Sequence, residues 1–414
     1  MAETQRFRVL IAGGGIAGVE ALLAVSDLAG DLVEVTLVSP APELTYKPLI
    51  VDEPFTSTPA GRWALEPIVE QAGGRLVQGA LARVHPTERE AELAGGARHG
   101  YEAAVVCIGA KPRAAFAHAE TLTTSGAPLD IGTLLRQAAE HPSRRIAFVL
   151  PAGGSWPLPV YELALLSQRR AAELELDVTC VVVTPESGPL IAFGPTASAA
   201  LAELLRVRGI EVLSGSRARE APGGAIELIP GEEQLEAGAV VALPALQGPA
   251  VPGLPAVEGG FIPIDEHARV QGVEGVYAAG DGTNFPIKHG GLGTQQADAA
   301  AEHIAAAAGA EIEPSPFHPV IRGKLIVGDE SLNLAADVTG GAGEGRASLD
   351  PLWWPPQKVA GRYLSALLSG DTPHDPGEPP ADGIDIEVGM PKEWHREPMA
   401  LDPILSPPRE GGPD

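Results

Sequence analysis

RVLIAGGGIAG, residues Arg8 to Gly18, runs from an apolar strand through three spaced glycines into the start of a helix. In that setting Gly13 permits a tight turn, Gly15 lets a pyrophosphate come close, and Gly18 lets helix pack on strand. Backbone N–H groups at the helix start then face the phosphates. In a chain with 50 glycines a lone match of this kind is weak evidence. A second stretch, VEGVYAAGDG at residues 273–282, strengthens it, because another apolar strand ends at Gly280 and exposes the Asp281 carboxylate on a short turn.

Working outward from the first motif, VEVTLVS (33–39) supplies the second strand of a parallel βαβ unit. The usual ribose-holding acid at its end is replaced by Ser39, whose hydroxyl can still hydrogen-bond a ribose. PELTYKPLIVDEPF (42–55) is an irregular excursion carrying Lys47, and RLVQGALARVHPTEREAELAGGARHG (75–100) alternates as a small meander. YEAAVVCIGAKP (101–112) closes the segment with a buried strand and a turn at Gly109. A second βαβ pattern follows: strand RRIAFVLP (144–151), amphipathic helix PVYELALLSQRRAAEL (159–174) and strand DVTCVVVTP (177–185). A helix is expected from about Gly293 to Ala308, and a further one over QKVAGRYLSALLS (357–369).

The expected fold class is α/β with two Rossmann-like dinucleotide-binding domains and a small C-terminal region. The expected boundaries are 1–121 and 245–316 for the first domain, 122–244 for an inserted nucleotide-type domain, 317–370 for the C-terminal part, and 371–414 for a disordered acidic, proline-rich tail.

Composition narrows the setting. At 414 residues and 44% apolar content the chain can bury sizeable cores. A formal net charge of −25 repels nucleic acid and anionic membrane surfaces on average. No apolar run reaches the roughly 18 residues of a transmembrane helix, and MAETQRFRVL leaves no room for a secretory signal, so a cytoplasmic location is expected. The chain has two cysteines, Cys107 and Cys180, each inside an apolar strand and without CxxC spacing. No metal-ligand spacing stands out.

Together the two glycine motifs resemble the FAD-binding motifs of the pyridine nucleotide-disulfide oxidoreductase superfamily. PIKHGGLGTQQADAAAEHI (286–304) and PVYELA (159–164) resemble the branch holding sulfide:quinone oxidoreductases and type II NADH dehydrogenases. The resemblance implies an FAD-dependent oxidoreductase with Asp281 on the ribityl chain, and Gly13, Gly15, Gly18, Ser39, Lys47, Gly109, Gly280 and Gly291 around the cofactor. It implies Lys288 and the helix start at GGLGTQQ near the flavin N1 and C2 carbonyl, with Gln295 and Gln296 facing a quinone or nicotinamide. Lys288 reads equally well as a surface lysine, His289 as an exposed loop residue, and Trp156 as a ring stacked near the flavin or a core residue.

The resemblance stops short of the substrate. Sulfide oxidation in that branch runs through cysteines beside the flavin. At the matching places this chain has Trp156 in GGSWPLP (153–159) and no cysteine in ETLTTSGAP (120–128) or KLIVGDESLNL (324–334). An NADH site needs a second glycine fingerprint, and Ser155, Pro157 and Val160 stand where its glycines belong. The strand beyond ends in Thr184, with Glu186 shortly after.

The expected function is therefore two-electron transfer through FAD from a small-molecule donor, NAD(P)H among the candidates, to a quinone-like acceptor without a disulfide. Alternatives are a divergent sulfide:quinone oxidoreductase and a low-turnover flavin-binding sensor. LWWPPQKVAGRYLSALLSG (352–370) reads as a closing element of the site or, alternatively, as a peripheral membrane contact; the oligomeric state is open.

Overall fold

A computed structural model describes residues 6–377 apart from 57–60, 124–127, 154, 222–224, 232, 329 and 338–344. The expected tail lies almost wholly outside the described residues. The fingerprint strand Phe7–Ala12 sits in the middle of a five-stranded sheet, between Val33–Ser39 and Ala103–Val106, flanked by Arg75–Gln78 and Val276–Ala278. All four pairings are parallel, with Ile11 opposite both Leu37 and Val105. Fully buried β-branched and aliphatic residues suit such a strand, since both faces are covered.

The covering helix Ile16–Ala29 packs against Gly290–Ala308, and Leu22, Ala300 and Ile304 are buried in the same core as Ile11 and Leu37. The first turn admits only glycine. Gly13 has φ +117°, and a Cβ there would stand 2.3 Å from the Cys107 carbonyl oxygen. A Cβ on Gly18 would lie 1.7 Å from the Gly13 carbonyl oxygen, so the helix reaches its strand only because none is present.

A second parallel sheet has the order Glu120–Thr121, Ala239–Ala242, Arg145–Val149, Thr179–Val183, Glu211–Leu213. Helices Ile131–Glu140, Leu158–Glu173 and Pro195–Val207 follow its strands, and Phe148, Tyr161 and Cys180 are wholly buried there. Val320–Ile326, Ser331–Asp337 and Arg346–Ser348 form an antiparallel sheet that packs on the Leu158–Glu173 helix. No helix among the described residues is long and apolar enough to cross a membrane.

Three local expectations change. Arg75–Gln78 joins the parallel sheet with Ser39 opposite Gln78, so the meander begins only at Leu81. The late helix starts at Gly290, one turn early, because Leu292 and Gly293 donate to the His289 carbonyl. The expected helix over 357–369 shrinks to Leu364–Ser369. Gly361 lies against Glu20, whose carboxylate accepts the N–H groups of Tyr363 and Leu364 at 2.9 and 2.7 Å, which starts the helix there.

Candidate functional site

Two cavities meet where the first sheet, the second sheet and the C-terminal part converge. The larger, about 500 Å³, lies along the fingerprint turn and is lined by Gly13, Gly15, Ser39, Lys47, Gly109, Gly280 and Asp281. The smaller, about 240 Å³, is mainly apolar, with walls from Ile50, Val51, Trp156, Leu158 and Leu246. Ile16, Lys47, Asp281, His289 and Gly290 line both, so the two form one continuous space.

The larger cavity has the features a dinucleotide needs. Nothing lies within 4 Å of where a Gly15 Cβ would project, so that backbone is open to an approaching group. The helix from Ile16 starts at this edge without a side-chain cap, leaving its first N–H groups for an anion. Burial raises the pKa of Asp281, while Lys47 and Lys288 act to lower it, and no hydrogen bond from the described residues contributes. A partly buried carboxylate with nearby cations and no hydrogen-bond donor among the described residues is placed for a ligand's hydroxyls. Ser39 has its hydroxyl engaged with the Ala41 carbonyl at 2.7 Å. Glu43, four residues on and exposed, lines the cavity instead and is an acid that could meet a ribose there. Sequence reading missed it because the acid is displaced from its usual place.

Gly18 serves packing and does not line either cavity, and neither does Gly291, whose neighbours Gly290 and Gly293 do. Lys288 is buried rather than superficial. Its amine donates to the Thr283 carbonyl, lies 3.9 Å from the centre of the Phe261 ring, and has its pKa lowered to about 8 by burial against the pull of Asp281. His289, expected in an exposed loop, is also buried, and burial lowers its pKa to about 4, so the ring is neutral at pH 7. Trp156 sits between rings, its centroid 4.6 Å from His289 and 5.7 Å from Phe193.

Gln295 and Gln296 do not line either cavity. Gln295 donates to the carbonyls of Gly291 and Val320 and accepts the Val320 N–H, tying the helix to the antiparallel sheet. Gln296 accepts the Gly280 N–H at 2.8 Å and so holds the turn that presents Asp281. Both are braces, and helical spacing alone could not say which way they face.

The apolar cavity contains a buried ion pair that sequence reading did not find. Lys358 and Glu162 are 2.7 Å apart, with side chains 8% and 0% exposed, and 196 residues separate them. Glu162 also accepts the Ile326 N–H at 2.8 Å. Burial nonetheless raises its pKa to about 7, against the lowering effect of Lys358.

Neither cysteine fits thiol chemistry here. Cys107 touches the larger cavity, but burial pushes its thiol up to about 12, and Cys180 is buried in the second sheet with its thiol raised further. The turn before Leu158–Glu173 has Gly153 at φ +108°, but the helix itself starts behind Pro157 with Pro159 in its first turn, which removes N–H donors there. Ser155 donates to the Pro244 carbonyl. Glu186, the acid available to a nucleotide ribose, is engaged by the hydroxyls of Tyr161 at 2.7 Å and Thr184 at 3.1 Å.

Two parallel nucleotide-type sheets, with an open glycine turn facing a partly buried carboxylate, are the architecture of Rossmann-like dinucleotide binding. The family model described as Pyridine nucleotide-disulphide oxidoreductase matches residues 7–305, and the chain belongs to that family. It is an FAD-dependent oxidoreductase. Among solved structures it is similar to the sulfide:quinone oxidoreductase of the hyperthermophilic bacterium Aquifex aeolicus, at 17% identity and TM-score 0.74, covering 83% of this chain and 86% of that one. A ferredoxin reductase from Rhodopseudomonas palustris matches at 20% identity and TM-score 0.58, over 80% of this chain and 83% of that one. NDH2 from Plasmodium falciparum in complex with NADH matches at 16% and TM-score 0.54, over 67% and 65%. At these identities the likeness is one of fold. A search of curated proteins finds no match.

Proposed function

We propose that this enzyme passes electrons through FAD from a small-molecule donor to a quinone-like acceptor in the apolar cavity, without a cysteine disulfide. The observation that carries the reading is the cavity itself: it is mainly apolar, opens onto the cofactor space beside Asp281, and is lined by no thiol of the chain's two. An apolar pocket with a few convergent polar groups is what a flat, poorly hydrated acceptor requires.

When bound, FAD supplies the two-electron carrier. The fingerprint turn at Gly13 and Gly15 receives the pyrophosphate, Glu43 the adenosine ribose, and Asp281 the ribityl hydroxyls. Lys288 and the helix start at Gly290 place positive charge at the junction of the cavities, which favours electron-rich states there. Neutral His289 and Trp156 pack together as one wall of the cavity. Glu162, with a pKa near 7, can hold or release a proton at the acceptor's side. The domain limits near 121, 244 and 316 belong to the same reading.

NAD(P)H is a weakly held donor in this scheme, because prolines occupy the phosphate turn and Glu186 is already engaged. A sulfide donor handled by thiols is disfavoured by the positions and burial of Cys107 and Cys180. The test is anaerobic reduction of the holoenzyme with dithionite, followed by mixing with a neutral naphthoquinone. Wild type is expected to reoxidise rapidly, and Leu246→Trp, which fills the cavity away from the cofactor space, to retain FAD but reoxidise slowly. Equal rates in the two proteins would refute the assignment of the cavity.

A further inference from the structure

The chain has six lysines, and four of them, Lys47, Lys288, Lys324 and Lys358, line the apolar cavity. Arginine outnumbers lysine 23 to six in the sequence, yet no described arginine lines this space. The facing carboxylates are two, Asp281 and Glu162. Asp281 interacts with Lys47 and Lys288, and Glu162 is paired with Lys358. Four amines thus face two carboxylates, and Lys324 is the one on which neither carboxylate acts.

Lys324 projects from the strand Val320–Ile326, and the hydrogen bond its amine makes goes to the Pro356 carbonyl at 3.1 Å. Burial and the neighbouring Lys358 lower its pKa, and no carboxylate counters them. An ammonium has three donors, so two remain for a ligand. A surplus cation in an apolar wall costs free energy unless an anion joins it. Ile50, Val51, Leu158 and Leu246 give the cavity an apolar wall that suits an anion whose charge rides on an apolar body.

We propose that Lys324 is a specificity residue that binds the ionised oxygen of an anionic quinone, a planar acceptor bearing a hydroxylate or carboxylate, and selects it over neutral quinones. This rests on the acceptor reading above. Such a contact is a charge-assisted hydrogen bond beside an apolar wall.

The test is calorimetric titration of the oxidised holoenzyme at pH 7.5 with 2-hydroxy-1,4-naphthoquinone, ionised at that pH, and with its uncharged methyl ether. Wild type is expected to bind the anion about tenfold tighter or more, the range of a hydrogen bond to a charged group. Lys324→Met should bring the ratio close to one with ether affinity retained, while Lys324→Arg should keep most of the preference. A wild-type ratio near one, or a preference that survives Lys324→Met, overturns the proposal. If the ether still binds and reoxidises the reduced enzyme in that event, the acceptor reading stands alone. If neither compound binds or reoxidises it, the acceptor reading fails and the proposal falls with it.

Discussion

Replacing Lys358 by Met should destabilise the enzyme in a strongly pH-dependent way. The substitution removes the cation 2.7 Å from Glu162 and leaves that carboxyl, wholly buried, with the Ile326 N–H as its remaining donor. Removing one partner of a buried pair costs about 3–5 kcal/mol when the other stays charged. Glu162 has an escape, because burial already raises its pKa from 4.5 to about 7 and loss of Lys358 raises it further. Its folded pKa lies above its unfolded one, so its contribution to stability falls as pH rises between those values. In wild type the fall ends near pH 7; in the variant it continues.

At pH 6 both proteins hold a mostly protonated Glu162, and the variant loses little more than a hydrogen bond, about 1 kcal/mol. Above pH 7 the deficit grows by about 1.4 kcal/mol per unit, reaching about 2 kcal/mol more by pH 8.5. The assay is urea denaturation of the FAD-loaded proteins between pH 6 and 8.5, followed by far-ultraviolet circular dichroism. Adding Glu162→Gln to Lys358→Met should recover most of the loss at pH 8.5 and remove its pH dependence. A deficit equal at pH 6 and 8.5, or a double variant no more stable than the single one, would refute the reasoning.

Asp281→Ala should release most of the FAD on gel filtration while the sheet cores persist in circular dichroism; full retention of cofactor would show that this carboxylate has no part in holding it. Both thiols should resist iodoacetamide at pH 8 in the folded protein and react after denaturation, because burial holds Cys107 near 12 and Cys180 above it; rapid labelling of native protein would contradict this. Flavin reduction by NADH or NADPH in stopped flow should saturate only above ~1 mM, beyond the ordinary KM range. Saturation at micromolar nucleotide would show that the turn before Leu158 still holds a pyrophosphate.

The parts of the molecule legible in sequence are those whose chemistry is local. Gly13, Gly15 and Gly18 sit within six residues, and Asp281 follows its strand directly, so spacing alone announces both turns. Lys288 and His289 look like loop residues in the sequence, yet both are buried where the segment runs beneath Trp156 and Phe261. Gln295 and Gln296 have the right types for substrate contact, but the backbone groups of Val320 and Gly280 claim them. The Glu162–Lys358 pair was invisible because its partners meet only after the C-terminal part folds back. The short final helix was overestimated because its amphipathic pattern says nothing of Glu20, which caps it from the far end of the chain.

The most direct test of the central claim is reoxidation of the pre-reduced, FAD-loaded Cys107→Ser, Cys180→Ser enzyme by a neutral naphthoquinone in stopped flow. Each hydroxyl at these buried positions costs ~1 kcal/mol or more, so folding is checked alongside rate. The account predicts rapid reoxidation at the wild-type rate, saturating with quinone. A well-folded, flavin-replete protein that the quinone cannot reoxidise, beside a wild type that it can, would contradict the account.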